Sequence, residues 1–254
     1  MKETKDDFNK RKSEIEKYFS LLEILDEDNI NINYENKSGI HKIEIDTETI
    51  KILKANGYLL IYNLLEATCR NFLIAILKAI QEKNLPINSL SEKTQALWLK
   101  QKAKGLNDPY IKDKTIELRL HSLVKEIIDE TKIEFKEIIL RAKEDDKDLF
   151  QLSGNIDAEN IRILADTYGF NSKVGGEKEK AGAILVDIRR MRNRLAHGRI
   201  TFAECGKDLS VAQIIGYKNN AISYIEGILN NIEQYINDEG FKKTVSSPVE
   251  AIAE

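Results

Sequence analysis

The segment from Tyr58 to Ile80, YLLIYNLLEATCRNFLIAILKAI, limits the fold of this chain more than any other stretch. Wound as a helix it is apolar on nearly every side, and such a helix has to be covered by neighbours. Asn63, Glu66, Arg70 and Asn71 interrupt it, so about 18 clean apolar residues never occur in a row and a membrane span is not expected. Asp46 or Thr47 caps its start and Leu85-Pro86 ends it. The pattern therefore predicts one long central helix to about Lys83. Asn56, Asn63, Glu66 and Arg70 fall on one face of that helix.

The remaining segments supply the cover. Phe8, Ile15, Phe19, Leu22 and Leu25 recur at helical spacing between Glu3 and Asp26. Ile30, Ile32 and Tyr34 alternate with polar residues, as do Ile43 and Ile45, around the turn composition Asn36-Lys37-Ser38-Gly39. That predicts a small β-hairpin over about 30–46. Helices follow over about Ser91–Lys104 and Thr115–Lys143, with Gly105 and Asn107-Asp108-Pro109 as the break between them. A short helix starts at Asp157 as N-cap and stops at Gly169. After the join Val174-Gly175-Gly176, a helix from near Glu177 to Gly198 carries Ile184, Leu185, Ile188, Met191 and Leu195 as its apolar stripe. The last helix opens with the capping-box pattern Ser210-Val211-Ala212-Gln213 and packs through Ile222, Ile225, Leu229, Ile232 and Ile236. With three prolines in 254 residues and no internal repeat, the expectation is one all-α domain over 1–240, with a hairpin, and a frayed tail over 241–254 that contains Pro248.

Composition narrows the classes of function. Lys and Arg total 39 against 42 Asp and Glu, so the chain as a whole is not a polycation coated for nucleic acid, although a local basic patch remains open. Two cysteines, Cys69 and Cys205, exclude a disulfide scaffold and a four-cysteine zinc site. The charged start KETKDD is unlike a signal peptide. A soluble protein of a reducing compartment, the cytoplasm, is expected.

The charge is not evenly spread. Of ten arginines, five (Arg189, Arg190, Arg192, Arg194 and Arg199) lie within eleven residues, and no acid occurs between Ile188 and Ala203. Arginines at a helix C-terminus stabilise the helix dipole, which is one reading of RRMRNRLAHGR. That reading leaves unexplained Asn193 and His197, which share a face at i, i+4, and the glycine that follows them. The string Arg192-Asn193-Arg194-Leu195-Ala196-His197 resembles the R-x4-6-H motif of the HEPN superfamily, with the polar residue that commonly follows the arginine. LAHGRITFAECGK, KANGYLLIYNLLEATCR and GNIDAENIRILADTYGF also look like HEPN proteins of prokaryotic defence and toxin–antitoxin loci, so the resemblance extends from about Thr47 to Ile236. It implies an all-α HEPN-like helical bundle and a metal-independent endoribonuclease that works as a homodimer without a cofactor. RNA would be the substrate, and an antitoxin or defence-system protein a further partner.

The residues fit that chemistry. RNA carries its own nucleophile, the 2′-hydroxyl, so no serine or cysteine nucleophile is needed. A proton carrier near neutral pH is needed, and His197 is the candidate. A cation must hold the phosphate and stabilise the charge of the transition state; Arg192 offers a fixed fork of donors. Asn193 would orient either the phosphate or the imidazole, and Arg189, Arg190, Arg194 and Arg199 would hold the RNA. In-line attack needs both a base and an acid, and a symmetric dimer would bring two copies of the motif together. Some HEPN toxins are silenced by adenylylation of a tyrosine two residues after the histidine; Arg199 stands there and Tyr217 is the nearest downstream tyrosine, so that control is not expected. Glu66 and Arg70 are spaced for an intrahelical ion pair; alternatively Asn63, Glu66 and Arg70 face the motif helix and hold an arginine. His41 and His121 lack companions at metal-ligand spacing, Cys69 reads as a small core residue, and Cys205 lacks a base. Trp98 with Lys100, Lys102 and Lys104 reads as a core tryptophan beside solvated lysines rather than a stacking platform. A catalytically silent helical module that binds RNA, a nucleotide or a protein through Arg189–Arg199 is the alternative.

Overall fold

The long apolar helix sits at the centre of an all-α fold with one small antiparallel hairpin. The structure is a computed structural model. It describes residues 1–27, 31–36, 38–103, 112–135, 139, 152, 156–176 and 181–244. In chain order the elements are α1 (Lys2–Leu25), β1 (Asn31–Asn36), β2 (Gly39–Glu44), α2 (Thr47–Glu82), α3 (Glu92–Lys102), α4 (Asp113–Ile128), α5 (Ala158–Tyr168), α6 (Ile184–Ala196), α7 (Phe202–Gly206) and α8 (Val211–Asn237). The Asp46 side chain accepts the Thr49 N–H at 2.7 Å and so starts α2. Leu65, Cys69, Phe72, Leu73, Ile76 and Leu77 of α2 have essentially no solvent exposure. α1, α6, α7 and α8 pack around it. By length and composition alone α2 is apolar enough to cross a membrane, which the polar interruptions were expected to prevent. Here it is the core helix of the bundle, and half of its most apolar window is buried.

α1 and α8 lie antiparallel across this core. Ion pairs join Lys5 to Glu233 (2.5 Å), Lys12 to Glu226 (2.7 Å) and Glu16 to the buried Lys218, so position rises on one helix as it falls on the other. Phe8, Ile15, Phe19, Leu22 and Leu25, the stripe predicted for α1, are all buried. Ser210 and Gln213 exchange the two hydrogen bonds of a capping box at the start of α8. Its seam residues Ile222, Ile225, Leu229 and Ile232 are buried.

Four expectations need correction. The helix predicted to reach Lys143 ends at Ile128. Glu130 takes a positive φ of 49°, and the chain leaves the helix axis to pair in extended form, the Ile133 N–H donating to the Leu85 carbonyl. Most of 136–151 lies outside the described residues. Second, the motif helix starts at Ile184 rather than near Glu177, with Gly182 and Ala183 in a turn before it; 177–180 lie outside the described residues.

Third, α7 was not anticipated, although Thr201 and Glu204 form a complete capping box. Its last residue, Gly206, lies so close to α2 that a Cβ there would stand 2.0 Å from the Lys51 carbonyl oxygen, so only glycine fits. Fourth, the chain does not fray directly after Gly240. Phe241 is fully buried with its ring 6.2 Å from that of Tyr235, and the Ser91 N–H donates to its carbonyl at 2.8 Å. A buried aromatic ring outweighs the polar character of its neighbours. Residues 245–254 lie outside those described.

Candidate functional site

α6 buries Leu185, Ile188 and Leu195 against the core, which leaves its arginines on the shoulders and the outer face. The helix closes on His197. The Gly198 N–H donates to the Leu195 carbonyl at 3.1 Å and the Arg199 N–H to the Arg194 carbonyl at 2.8 Å. This is a Schellman closure, and it requires the left-handed φ of 63° that Gly198 adopts. The closure places His197 at the helix end, exposed to solvent, and brings Arg194 and Arg199 to the positions where a closing hydrophobic contact usually forms.

Arg192 lies on the shoulder that meets α2. Its guanidinium carbon stands 4.6 Å from the centre of the Tyr62 ring, a cation–π contact. Nη2 is 3.8 Å from a Glu66 carboxylate oxygen, and Nη1 donates to the Asn193 side-chain oxygen at 3.0 Å. Tyr62 is buried and its hydroxyl accepts the Ile156 N–H at 3.0 Å. Burial pushes the Tyr62 pKa up to about 12, so the ring under the arginine stays a neutral phenol. Glu66 reaches the motif helix, as one of the two sequence readings required. Asn63, expected on the same face, is exposed and makes no side-chain hydrogen bond among the described residues. Arg70 is half-buried one turn further along α2. Asn56 lies near Tyr18 instead, whose hydroxyl donates to the Leu53 carbonyl at 2.6 Å.

The other arginines divide. Arg189 Nη1 pairs at 2.8 Å with Asp157, whose side chain is only 3% exposed. The same carboxylate accepts the Asn160 N–H at 2.9 Å and so caps α5. Arg189, expected to contact RNA, therefore ties α6 to the start of α5. Arg190 pairs with Asp187 one turn back at 2.8 Å and remains exposed. Arg194 is exposed; its charge adds to the Thr201 hydrogen bonds that hold Glu204 below its ordinary carboxylate pKa, and it offsets only part of the burial that raises the Cys205 thiol. Arg199 is exposed and makes no ion pair among the described residues; the same holds for the His197 imidazole.

Two residues of this arrangement escaped the sequence reading. Tyr62 was hidden inside the apolar run, and its only signal is the i, i+4 spacing to Glu66. Asp157 was recognised as a cap, with no sign that an arginine some thirty residues away would share it. The lesser candidates fall where expected. Trp98 is buried, with Lys102 standing 5.2 Å above its ring and pairing with Glu126. Lys104 lies outside the described residues. His121 is exposed on α4, and His41 meets Ser38 at the hairpin. Burial raises the pKa of both thiols, Cys69 and Cys205. Tyr217 packs its ring 5.9 Å from that of Tyr58. Among the described residues no three His, Cys, Asp or Glu side chains gather where they could hold a metal ion.

No curated protein and no solved structure matches the chain. The family model described as HEPN_MAE_28990-like HEPN matches residues 1–241, nearly the whole chain, so the protein that places Arg192, Asn193 and His197 at this helix end belongs to the HEPN superfamily.

Proposed function

We propose that the protein is a metal-independent endoribonuclease of the toxin or antiviral defence type, acting as a cytoplasmic homodimer on RNA. The observation that carries this reading is the contrast at the end of α6: a guanidinium held by Tyr62, Glu66 and Asn193 and, five residues further on, an imidazole left open to solvent. His197 takes the proton of the 2′-hydroxyl or returns one to the departing 5′-oxygen. The 2′-oxygen to phosphorus bond forms as the bond from phosphorus to the 5′-oxygen breaks. Arg192 stabilises the charge that grows on the phosphate oxygens. One chain supplies one such histidine, and a two-fold dimer with the motif helices facing each other supplies both an acid and a base. Such a cleft would gather the open arginines of two chains, a crowding that a polyanion relieves. An antitoxin or another defence protein would restrain it.

The test is cleavage of end-labelled RNA in EDTA by wild type and His197→Ala. The expected products are a 2′,3′-cyclic phosphate, or its hydrolysed 3′-phosphate, and a 5′-hydroxyl, formed only by the wild type. Activity that vanishes in EDTA and returns with Mg²⁺ overturns the mechanism. A second reading, an RNA-binding module without catalysis, draws on the His197 imidazole having no orienting side-chain partner among the described residues. Tight RNA binding with no cleavage at any protein concentration would favour it.

A further inference from the structure

The geometry points to Tyr62 and Glu66 of α2 as positioning residues that hold Arg192 in the orientation needed for phosphate, an inference that rests on the ribonuclease reading. A free arginine side chain samples many rotamers, and a catalytic cation has to be in place before the charge develops. Arg192 is confined from two directions by residues of another helix. The Tyr62 ring forms a floor 4.6 Å from the guanidinium carbon. That floor is itself fixed, because the ring is buried and its hydroxyl is held by the Ile156 N–H.

Glu66 does something different. At 3.8 Å from Nη2 its carboxylate is beyond hydrogen-bond distance, yet close enough to attract. Among the described residues only Nη1 makes a hydrogen bond, with Asn193. Most of the five N–H donors of the guanidinium therefore stay available. A phosphate offers two oxygens that match the donor fork, so it displaces the looser Glu66 contact. Glu66 thus occupies the phosphate's electrostatic place in the free protein. Tyr62 keeps the guanidinium plane aligned before and after the exchange. Removing the floor should lower kcat more than it raises KM, since what is lost is preorganisation.

Single-turnover and steady-state cleavage by Tyr62→Leu, Tyr62→Phe and Glu66→Gln tests this, with thermal melts to establish folding. Tyr62→Leu should lower kcat about 30-fold with KM within about twofold of wild type. Tyr62→Phe, which keeps the ring and loses the bond to Ile156, should retain most of kcat. Equal losses in the two variants would assign the effect to the hydroxyl and overturn the proposal, as would full kcat in a folded Tyr62→Leu. Glu66→Gln should lower KM and kcat together, and this split decides the matter if Tyr62→Leu does not fold; no change in either constant overturns it. Side-chain ¹⁵N NMR, with the Arg192 Nε–H assigned through Arg192→Lys, gives a readout independent of activity. A ring-shifted Arg192 signal that persists in Tyr62→Phe and collapses in Tyr62→Leu supports the floor even if no RNA is cut, in which case the ribonuclease reading alone has failed. A signal that is the same in all three proteins overturns the proposal.

Discussion

The two sides of α6 carry the same residue type and use it in opposite ways. On the side toward α2 and α5, Arg189 and Arg192 are enclosed by Asp157, Tyr62 and Glu66. On the outer side and at the helix end, Arg194 and Arg199 stand in solvent with His197 between them in sequence. An arginine against a buried carboxylate belongs to the fold, because removing it strands a charge out of reach of water. An unpartnered arginine at a Schellman closure adds little to the fold and leaves its donors available to a ligand. Arg192 combines the two conditions, being confined but not neutralised. Charge clustering alone therefore does not identify a binding surface; the partner of each guanidinium does.

The largest expected effect tests the open side. His197→Ala should reduce RNA cleavage by at least about 10³-fold while stability stays within about 0.5 kcal/mol, since the side chain is exposed and makes no ion pair among the described residues. Quantitative cleavage assays beside thermal melts check this, and retained activity would move the site away from the helix end. The tethered side should behave in reverse. Arg189→Ala leaves the Asp157 carboxylate buried without its cation and should cost about 2–3 kcal/mol. Denaturant titration measures that loss, and activity per folded molecule should be unchanged. A stable Arg189→Ala protein with weakened RNA binding would break the division between the two sides.

Smaller effects sharpen the comparison. Arg194→Ala and Arg199→Ala should each reduce the slope of log affinity against log salt by about 0.7 for single-stranded RNA. Binding isotherms at several salt concentrations decide this, and Arg189→Ala should leave the slope intact. The smallest effect concerns α7. The Thr201 N–H and hydroxyl hold Glu204 below its ordinary carboxylate pKa, with Arg194 adding to the shift. A folded-state pKa below the unfolded value contributes stability that is present above the unfolded pKa and is lost as pH falls through the folded one. Glu204→Gln should therefore flatten the acid limb of stability against pH and leave stability near neutrality slightly lower. Melts from pH 3 to pH 7 would show it, and parallel curves for the two proteins would count against the capping role.

Much of this was legible before any coordinates. α2 was readable because a run that is apolar all round has no alternative to burial, and α1 and α8 because their stripes repeat at helical spacing. Caps at Asp46, Asp157 and Ser210 were readable because short polar side chains satisfy the first free N–H groups of a helix. The end of α4 was not readable: the apolar residues beyond Ile128 suit a helix and an extended segment equally, and pairing with the Leu85–Pro86 backbone decided between them. Phe241 was misjudged for a related reason, since its burial depends on a chain reversal that returns it to Tyr235 and the start of α3.

The candidate site divides along the same line. The R-N-x-x-x-H string, its position before a glycine and the concentration of arginines are properties of the sequence alone, because they depend on local spacing and composition. Which arginine is tied down and which is open belongs to the tertiary structure. Asp157 reaches Arg189, and Tyr62 reaches Arg192, from segments far away in sequence, and no local pattern encodes those encounters; the face of Glu66 was legible, but whether it pairs with Arg70 or with the motif helix was not. They exist because burying α2 against α6 brings the polar interruption of one apolar helix to the basic shoulder of another. There the low exposure gives a ring face and a carboxylate the strength to hold a cation that water would otherwise have kept mobile.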